Sequence, residues 1–275
     1  MKQIGIGVIG WGFMGRTHTF SIKTMPLHYN LDFEPRLIGI CSRRLEKAEQ
    51  AAREQGFKYA TDDYHKLLAD PEIDVVSICT PNNLHEQMAL DAIAAGKSVY
   101  IDKPLSINYE SARRIADAAR AAGVKAQLAL NNRFFPSTML AHELVTSGKL
   151  GRVTSFSAEY LHSGSVDPNR PIGWKQDYDA CGGGVLLDLG SHALDLVIWM
   201  CGKVDSIDCI TQTLYSERPT AGGGRTSNLG EDRALMLLQL ENGAAGTVDA
   251  SPLATGTDDE LTLNISLTGG AVRYS

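Results

Sequence analysis

The sequence predicts an α/β protein in two parts. Residues 1–131 read as a doubly wound parallel sheet, and residues 132–275 as an α+β domain with a mostly antiparallel sheet. Three observations carry this. A glycine-rich turn, Gly10-Trp11-Gly12-Phe13-Met14-Gly15, leaves an apolar strand and opens a helix. Strand and helix patterns then alternate as far as Gly148. After Gly151 the rhythm changes to alternating apolar and polar runs joined by turn residues.

The first strand is Ile4–Ile9, and the turn after it has the spacing Gly-x-Gly-x-x-Gly. In a strand–turn–helix context that spacing is informative. The first glycine permits the tight turn, the second lets backbone approach a pyrophosphate, and the third lets helix and strand pack closely. Free N–H groups at the helix N-terminus would hold the pyrophosphate. The expected dinucleotide contacts are Gly10, Gly12, Phe13, Met14 and Gly15.

The second strand, Arg36–Cys41, ends in Ser42-Arg43-Arg44. A carboxylate at this place would bind the ribose 2′-hydroxyl of NAD and repel a 2′-phosphate. A hydroxyl followed by guanidinium groups can hydrogen-bond that phosphate. The residues therefore favour NADP over NAD. A plainer role, Ser42 as cap and the arginines as exposed residues of a helix over Leu45–Gln55, is compatible with it.

Asp74–Cys79 is the next apolar strand, with the loop Thr80-Pro81-Asn82-Asn83 at its carboxyl end and a helix over Leu84–Ala95. His85 near the start of that helix could face the cofactor, although a single histidine more often packs or sits at the surface. The strand Val99–Ile101 stops in Asp102-Lys103-Pro104. A lysine at the carboxyl end of a parallel strand stands in the crevice where open α/β sheets bind ligands, and Pro104 forces the chain to turn there. The alternative is a solvated lysine capping the strand. A helix over Tyr109–Ala122, a strand over Ala126–Leu130 and a helix over Ser137–Thr146 complete the alternation.

The second part opens with the half-buried strand Val153–Tyr160. A long loop from His162 to Ala180 follows, containing Trp174, and leads to the flexible triplet Gly182-Gly183-Gly184. In the apolar helix Val185–Met200, Asp188 and His192 are four apart and share one face, with Asp195 three residues on. Carboxylate and imidazole on one face suit general acid–base work. The many leucines around them leave little room for a solvated ion pair. Strands follow at Val204–Leu214, Arg233–Leu240, Ala244–Ser251 and Glu260–Leu267, with a hairpin turn at Asn242-Gly243 and a mobile loop over Ser216–Gly230.

Composition narrows the function classes. A net charge of −6 carries no electrostatic footprint for nucleic acid. No apolar run approaches the roughly 20 residues a membrane helix needs, and the N-terminus has no signal-peptide pattern. The five cysteines lack any Cys-x-x-Cys, and Cys41, Cys79 and Cys209 fall in apolar strand-like runs, which predicts reduced core thiols in a cytoplasmic protein. No His/Cys cluster has metal-ligand spacing, so no metal is expected.

Three segments together resemble the Gfo/Idh/MocA (glucose–fructose oxidoreductase/inositol dehydrogenase) family: Gly10–Gly15, Ser77–His85 followed by Gly96–Leu105, and Gly182–Asp195. The match runs from Ile4 to about Gly269. It implies a Rossmann domain, then an α+β domain whose sheet covers the substrate and makes a homo-oligomer. It also implies hydride transfer between nicotinamide and a ring hydroxyl or carbonyl of a sugar or cyclitol. By that resemblance Lys103 supports the reacting oxygen, His192 exchanges its proton, and Asp188 binds and orients the substrate. Thr80, Pro81, Asn82 and His85 line the nicotinamide side with Asp102 and Lys103, and Trp174 joins the substrate pocket. Asn132 and Arg133 fall near the active site. Asp102 stands where the family has glutamate, one methylene longer. Members continue past the last strand here, which implies a second domain cut short at its C-terminus. A cofactor-binding regulatory protein and a glycosidase using bound NAD remain the alternatives.

Overall fold

The computed structural model describes residues 1–174, 177–220 and 222–275. The chain divides into two compact units, Met1–Ala129 and Leu130–Ser275. The expected loop over His162–Ala180 includes Lys175 and Gln176, and that over Ser216–Gly230 includes Ala221; these three lie outside the described residues.

In the first unit, six strands form one parallel sheet: β1 (Lys2–Ile9), β2 (Phe33–Cys41), β3 (Tyr59–Thr61), β4 (Val75–Ile78), β5 (Ser98–Asp102) and β6 (Ala126–Ala129). Their order is β3-β2-β1-β4-β5-β6. That is the order of the doubly wound nucleotide-binding sheet, in which the strand order reverses between β1 and β4 and opens a crevice at their carboxyl ends. The helices between them are α1 (Phe13–His28), α2 (Leu45–Gln55), α3 (Tyr64–Ala69), α4 (His85–Ala94) and α5 (Tyr109–Ala122). Gly56 and Gly123 close α2 and α5 in the left-handed conformation that favours glycine. Ile9, Val76, Ile78, Val99 and Ile101 pack with Ala89, Ala92 and Ile115 in the core of this unit.

The second unit contains α6 (Pro136–Thr146), β7 (Val153–His162), α7 (Tyr178–Cys181), α8 (Ser191–Cys201) and strands β8 (Val204–Gln212) to β14 (Gly270–Tyr274). Its main sheet has the order β14-β13-β7-β12-β11-β8, where β11 is Arg233–Leu240, β12 Ala245–Ser251 and β13 Asp259–Leu267. All its pairs are antiparallel except β7 with β12. Alternation along β11 is strict: Ala234, Met236, Leu238 and Leu240 are buried, while Leu235 and Leu237 are exposed. The buried row packs against Ala193, Leu196, Val197 and Met200 of α8. Gly243 turns the β11–β12 hairpin with φ 85°.

Several expectations need correction. Ser216–Gly230 is not simply a loop: β9 (Glu217–Pro219) and β10 (Arg225–Ser227) pair antiparallel within it. Cys209 is exposed on the edge strand β8, because its run of apolar residues faces no neighbouring layer; no disulfide joins any of the five cysteines. The stretch Tyr178–Cys201 is long and apolar enough to cross a membrane, contrary to the sequence reading. Half of it is buried inside this unit, where its apolar side is covered by the sheet.

Candidate active site

In the first unit the carboxyl ends of β1 and β4 carry the dinucleotide signature. Gly10 N donates to Cys41 O at 2.9 Å, and Gly10 has φ 100°. A Cβ at Gly15 would lie 2.0 Å from Gly10 O, so the third glycine closes the turn against the first. A Cβ at Gly12 would meet nothing within 4 Å. Gly12 is the N-cap of the 16-residue helix α1, which has no side-chain cap. The first amides of α1 therefore have no local acceptor and open space before them, the arrangement that suits a pyrophosphate. Phe13 is exposed and Met14 half-buried at the mouth of the loop.

Ser42 follows β2, half-buried, its N–H donating to Thr61 O at 3.1 Å. Arg43 and Arg44 are exposed, and Arg44 rather than Ser42 is the N-cap of α2. Thr80 and Pro81 are half-buried past the end of β4, and Asn82 is buried in the turn that enters α4. His85 is fully buried, with Nε2 2.9 Å from Thr80 O and Nδ1 3.0 Å from Pro104 O. It thus ties the loop after β4 to the turn after β5. Burial pushes its pKa below the ordinary histidine value, against the pull of those two carbonyls.

Lys103 and Asp102 are half-buried at the end of β5, where Lys103 N donates to Asp102 Oδ1 at 2.9 Å. Beneath them lies a polar cluster the sequence analysis did not find. His18 Nδ1 of α1 is 2.9 Å from Ser77 Oγ and 3.2 Å from Cys79 Sγ, and its ring lies 5.0 Å from that of Tyr100. Burial raises the pKa of Asp102, opposed by the charges of His18, Lys103 and His85, and lowers that of His18.

In the second unit Asp188 and His192 do not share a regular α-helix. Leu186–Gly190 is a π-helical turn that continues into α8, so the four-residue spacing spans a widened turn. Such turns frequently occur at functional sites. His192 is 7% exposed and its ring is 5.9 Å from that of Tyr160. Burial, with Asp259, Asp188 and Tyr274 nearby, raises the Tyr160 pKa to about 12. Asp195 is bound by Arg133. The expected flexible glycines are pinned instead. Gly184 N donates to both oxygens of Glu231 at 3.1 and 3.0 Å, and a Cβ there would lie 2.3 Å from Glu231 O.

Asp188 borders a cavity of about 410 Å³ within this unit, which His162, Arg170, Arg218 and Asn228 also line. Trp174 is exposed and does not line it, and its carbonyl accepts from Cys181 Sγ at 2.8 Å. Among the described residues no group of three His, Cys, Asp or Glu side chains could hold a metal ion.

The fold and the sequence are those of known proteins. Residues 4–130 match the oxidoreductase family with an NAD-binding Rossmann fold, and residues 138–273 match the GFO/IDH/MocA C-terminal domain. Levoglucosan dehydrogenase of Pseudarthrobacter phenanthrenivorans is 32% identical over 289 residues, covering 100% of this chain and 74% of that protein. A structure of levoglucosan dehydrogenase in complex with NADH and levoglucosan superimposes with a TM-score of 0.96 at 32% identity, over 100% of this chain and 73% of that one. Myo-inositol 2-dehydrogenase of Thermotoga maritima is 28% identical over 258 residues, 93% of this chain and 71% of that protein. With both halves matched in sequence, and the parallel sheet carrying its glycine turn at the reversal of strand order, the chain belongs to the GFO/IDH/MocA oxidoreductase family.

Proposed function

We propose that this chain oxidises a ring hydroxyl of a sugar or cyclitol, or reduces the matching carbonyl, with a nicotinamide dinucleotide. The observation that carries the reading is the cradle at Gly10–Gly15, where Gly12 leaves open space before uncapped helix amides. The two dehydrogenases above act, by name, on an anhydrosugar and a cyclitol. A nicotinamide dinucleotide held at Gly10–Gly15 would supply the hydride chemistry. The protein's own work is to hold the ring and manage the proton. His192 takes the hydroxyl proton during oxidation, the Lys103 ammonium stabilises charge remaining on the oxygen, and Asp188 orients the ring.

NADP is the preferred cofactor in this reading. Support comes from Ser42 in place of a carboxylate and from Arg43, exposed just beyond β2. A homo-oligomer is part of it too. Ile210, Leu235 and Leu237 are exposed on neighbouring strands, and the pairing of Leu235 with Ile210 puts them on one face of the sheet. Light scattering should report a dimer or larger species that Leu237→Glu dissociates. The reading also places the protein in a reducing cytoplasm, in keeping with its undisulfided cysteines.

The direct test is a turnover screen of sugars and cyclitols with NADP⁺ and NAD⁺, following reduced nicotinamide. Native protein should turn over at least one, while Lys103→Ala and His192→Ala should lose turnover yet keep cofactor affinity within about threefold. Full activity in either variant would refute the assigned roles.

A further inference from the structure

His85 has more acceptors around it than protons to give. It opens α4 and is 0% exposed, so it works through its neighbours and not by touching a ligand. Its Nε2 lies 2.9 Å from Thr80 O and its Nδ1 3.0 Å from Pro104 O, and the Leu105 carbonyl acts on the ring as well. Carbonyl oxygens only accept. A neutral imidazole carries a single N–H, so it donates to one of the two carbonyls and turns a bare nitrogen toward the other.

An imidazolium would satisfy both, but burial opposes that form. The Asp102 carboxyl, the charged group that acts on the ring, does not outweigh the burial, and is itself driven toward its neutral form. The ring is therefore neutral, with two acceptors at nearly equal distances. Geometry favours neither, and the bond made at one nitrogen decides the state of the other. The two carbonyls belong to different walls of the crevice. Thr80 follows β4 in the loop that leads into α4, and Pro104 follows Lys103 in the turn after β5.

We propose that His85 is a positioning residue with one proton for two duties, populated in both tautomers. With Nε2 protonated it holds the loop after β4; with Nδ1 protonated it holds the turn that carries Lys103. What each wall does rests on the dehydrogenase reading, whereas the shared proton rests on the surroundings of His85 alone. An ammonium stabilises a reacting oxygen only where it is held in place. The Pro104 bond therefore serves turnover, and the Thr80 bond serves dinucleotide binding.

The shared proton is tested on native protein. The full chain, free of cofactor and isotope-labelled in its histidine rings, is followed by nitrogen NMR at a pH above the ordinary histidine value of about 6.5. The His85 ring, assigned by its through-space contacts to Thr80 and Pro104, should show both tautomers as averaged or doubled signals. One tautomer alone overturns the proposal, and so does a ring with both nitrogens protonated. The two duties are tested by substitution. An asparagine amide reaches about as far as Nδ1 and a glutamine amide about as far as Nε2. His85→Asn therefore keeps a donor for Pro104 O, and His85→Gln keeps one for Thr80 O. In His85→Gln the loss in kcat should exceed the loss in dinucleotide affinity by about fivefold or more, and in His85→Asn the order should reverse. A purely structural role would move both variants alike; that result, or the opposite order, overturns the two duties. The spectrum of native protein decides the shared proton even if a variant does not fold. Native protein that turns over no sugar or cyclitol would refute the dehydrogenase reading and leave the tautomer result standing.

Discussion

Arg133 Nε donates to Asp195 Oδ2 at 2.7 Å, and its Nη2 takes the other carboxylate oxygen, joining the turn after Leu130 to α8 as a bidentate pair. The Asp195 side chain is only 10% exposed and that of Arg133 31%. The guanidinium also lies 5.4 Å over the Trp199 ring, which stacks on His142 at 3.9 Å. Asp195 therefore ties two elements together and is not available for proton transfer. Asp195→Ala should leave the guanidinium half-buried and unpaired, at a cost of about 2 kcal/mol. Urea unfolding of native and variant protein measures this; equal midpoints would show that the pair contributes nothing.

The three glycines of the first loop do different work, and single alanines should separate them. At Gly15 the new methyl would sit 2.0 Å from Gly10 O, a backbone atom that cannot step aside. Gly15→Ala should destabilise the first unit by about 1–3 kcal/mol. At Gly12 a methyl meets nothing within 4 Å and φ is −89°. Gly12→Ala should fold with stability within about 0.5 kcal/mol of native. Its methyl would occupy the space left for the pyrophosphate, so dinucleotide affinity should fall about tenfold or more. Melting curves and calorimetric titration on both variants check the division. A Gly12→Ala protein that binds normally would refute the cradle.

Much of this was legible in the sequence, for local reasons. Buried parallel strands are continuous apolar runs, so β1, β2, β4 and β5 announce themselves, and the apolar run Ala234–Leu238 of β11 does likewise, although only every second residue of it is buried. The short β3 has no such run: its three residues Tyr59-Ala60-Thr61 acquire strand geometry only by pairing with β2. The β9–β10 ribbon hides in polar, glycine-rich sequence for the same reason. The π turn at Leu186–Gly190 is invisible because its residues also fit an α-helical apolar pattern. Pairs made by the fold, such as Arg133 with Asp195 and His18 with Ser77, are separated by 62 and 59 residues and carry no spacing signal. Cys209 shows the converse: strand-like sequence on an edge that nothing covers.

The proposed preference for NADP is tested at Arg43. Its exposed guanidinium stands two residues beyond β2, where a 2′-phosphate would lie in a doubly wound sheet. Arg43→Ala should weaken NADP(H) about tenfold and NAD(H) less than about threefold, because only the former offers a second charged partner. Side-by-side calorimetric titrations measure both. Equal losses would remove the argument for the phosphate and leave NAD as the cofactor.

Acid should loosen the first unit through His85. In the unfolded chain this histidine takes a proton near pH 6.5. In the folded chain burial lowers its pKa, so below that pH the unfolded state binds the extra proton first. Stability is therefore full above about 6.5 and is lost as pH falls toward the folded value. His18, also lowered by burial, has the same sign. Asp102 has the opposite sign, since its raised pKa favours the folded protonated form and its contribution fades as pH rises through that value. Urea midpoints at stepped pH should decline below about 6.5, and His85→Gln should flatten the decline while lowering stability throughout. The flattening follows because glutamine can still donate to one of the carbonyls of Thr80 and Pro104 but cannot titrate. An unchanged slope in His85→Gln would assign the acid sensitivity to His18 and the cluster around Ser77 and Cys79.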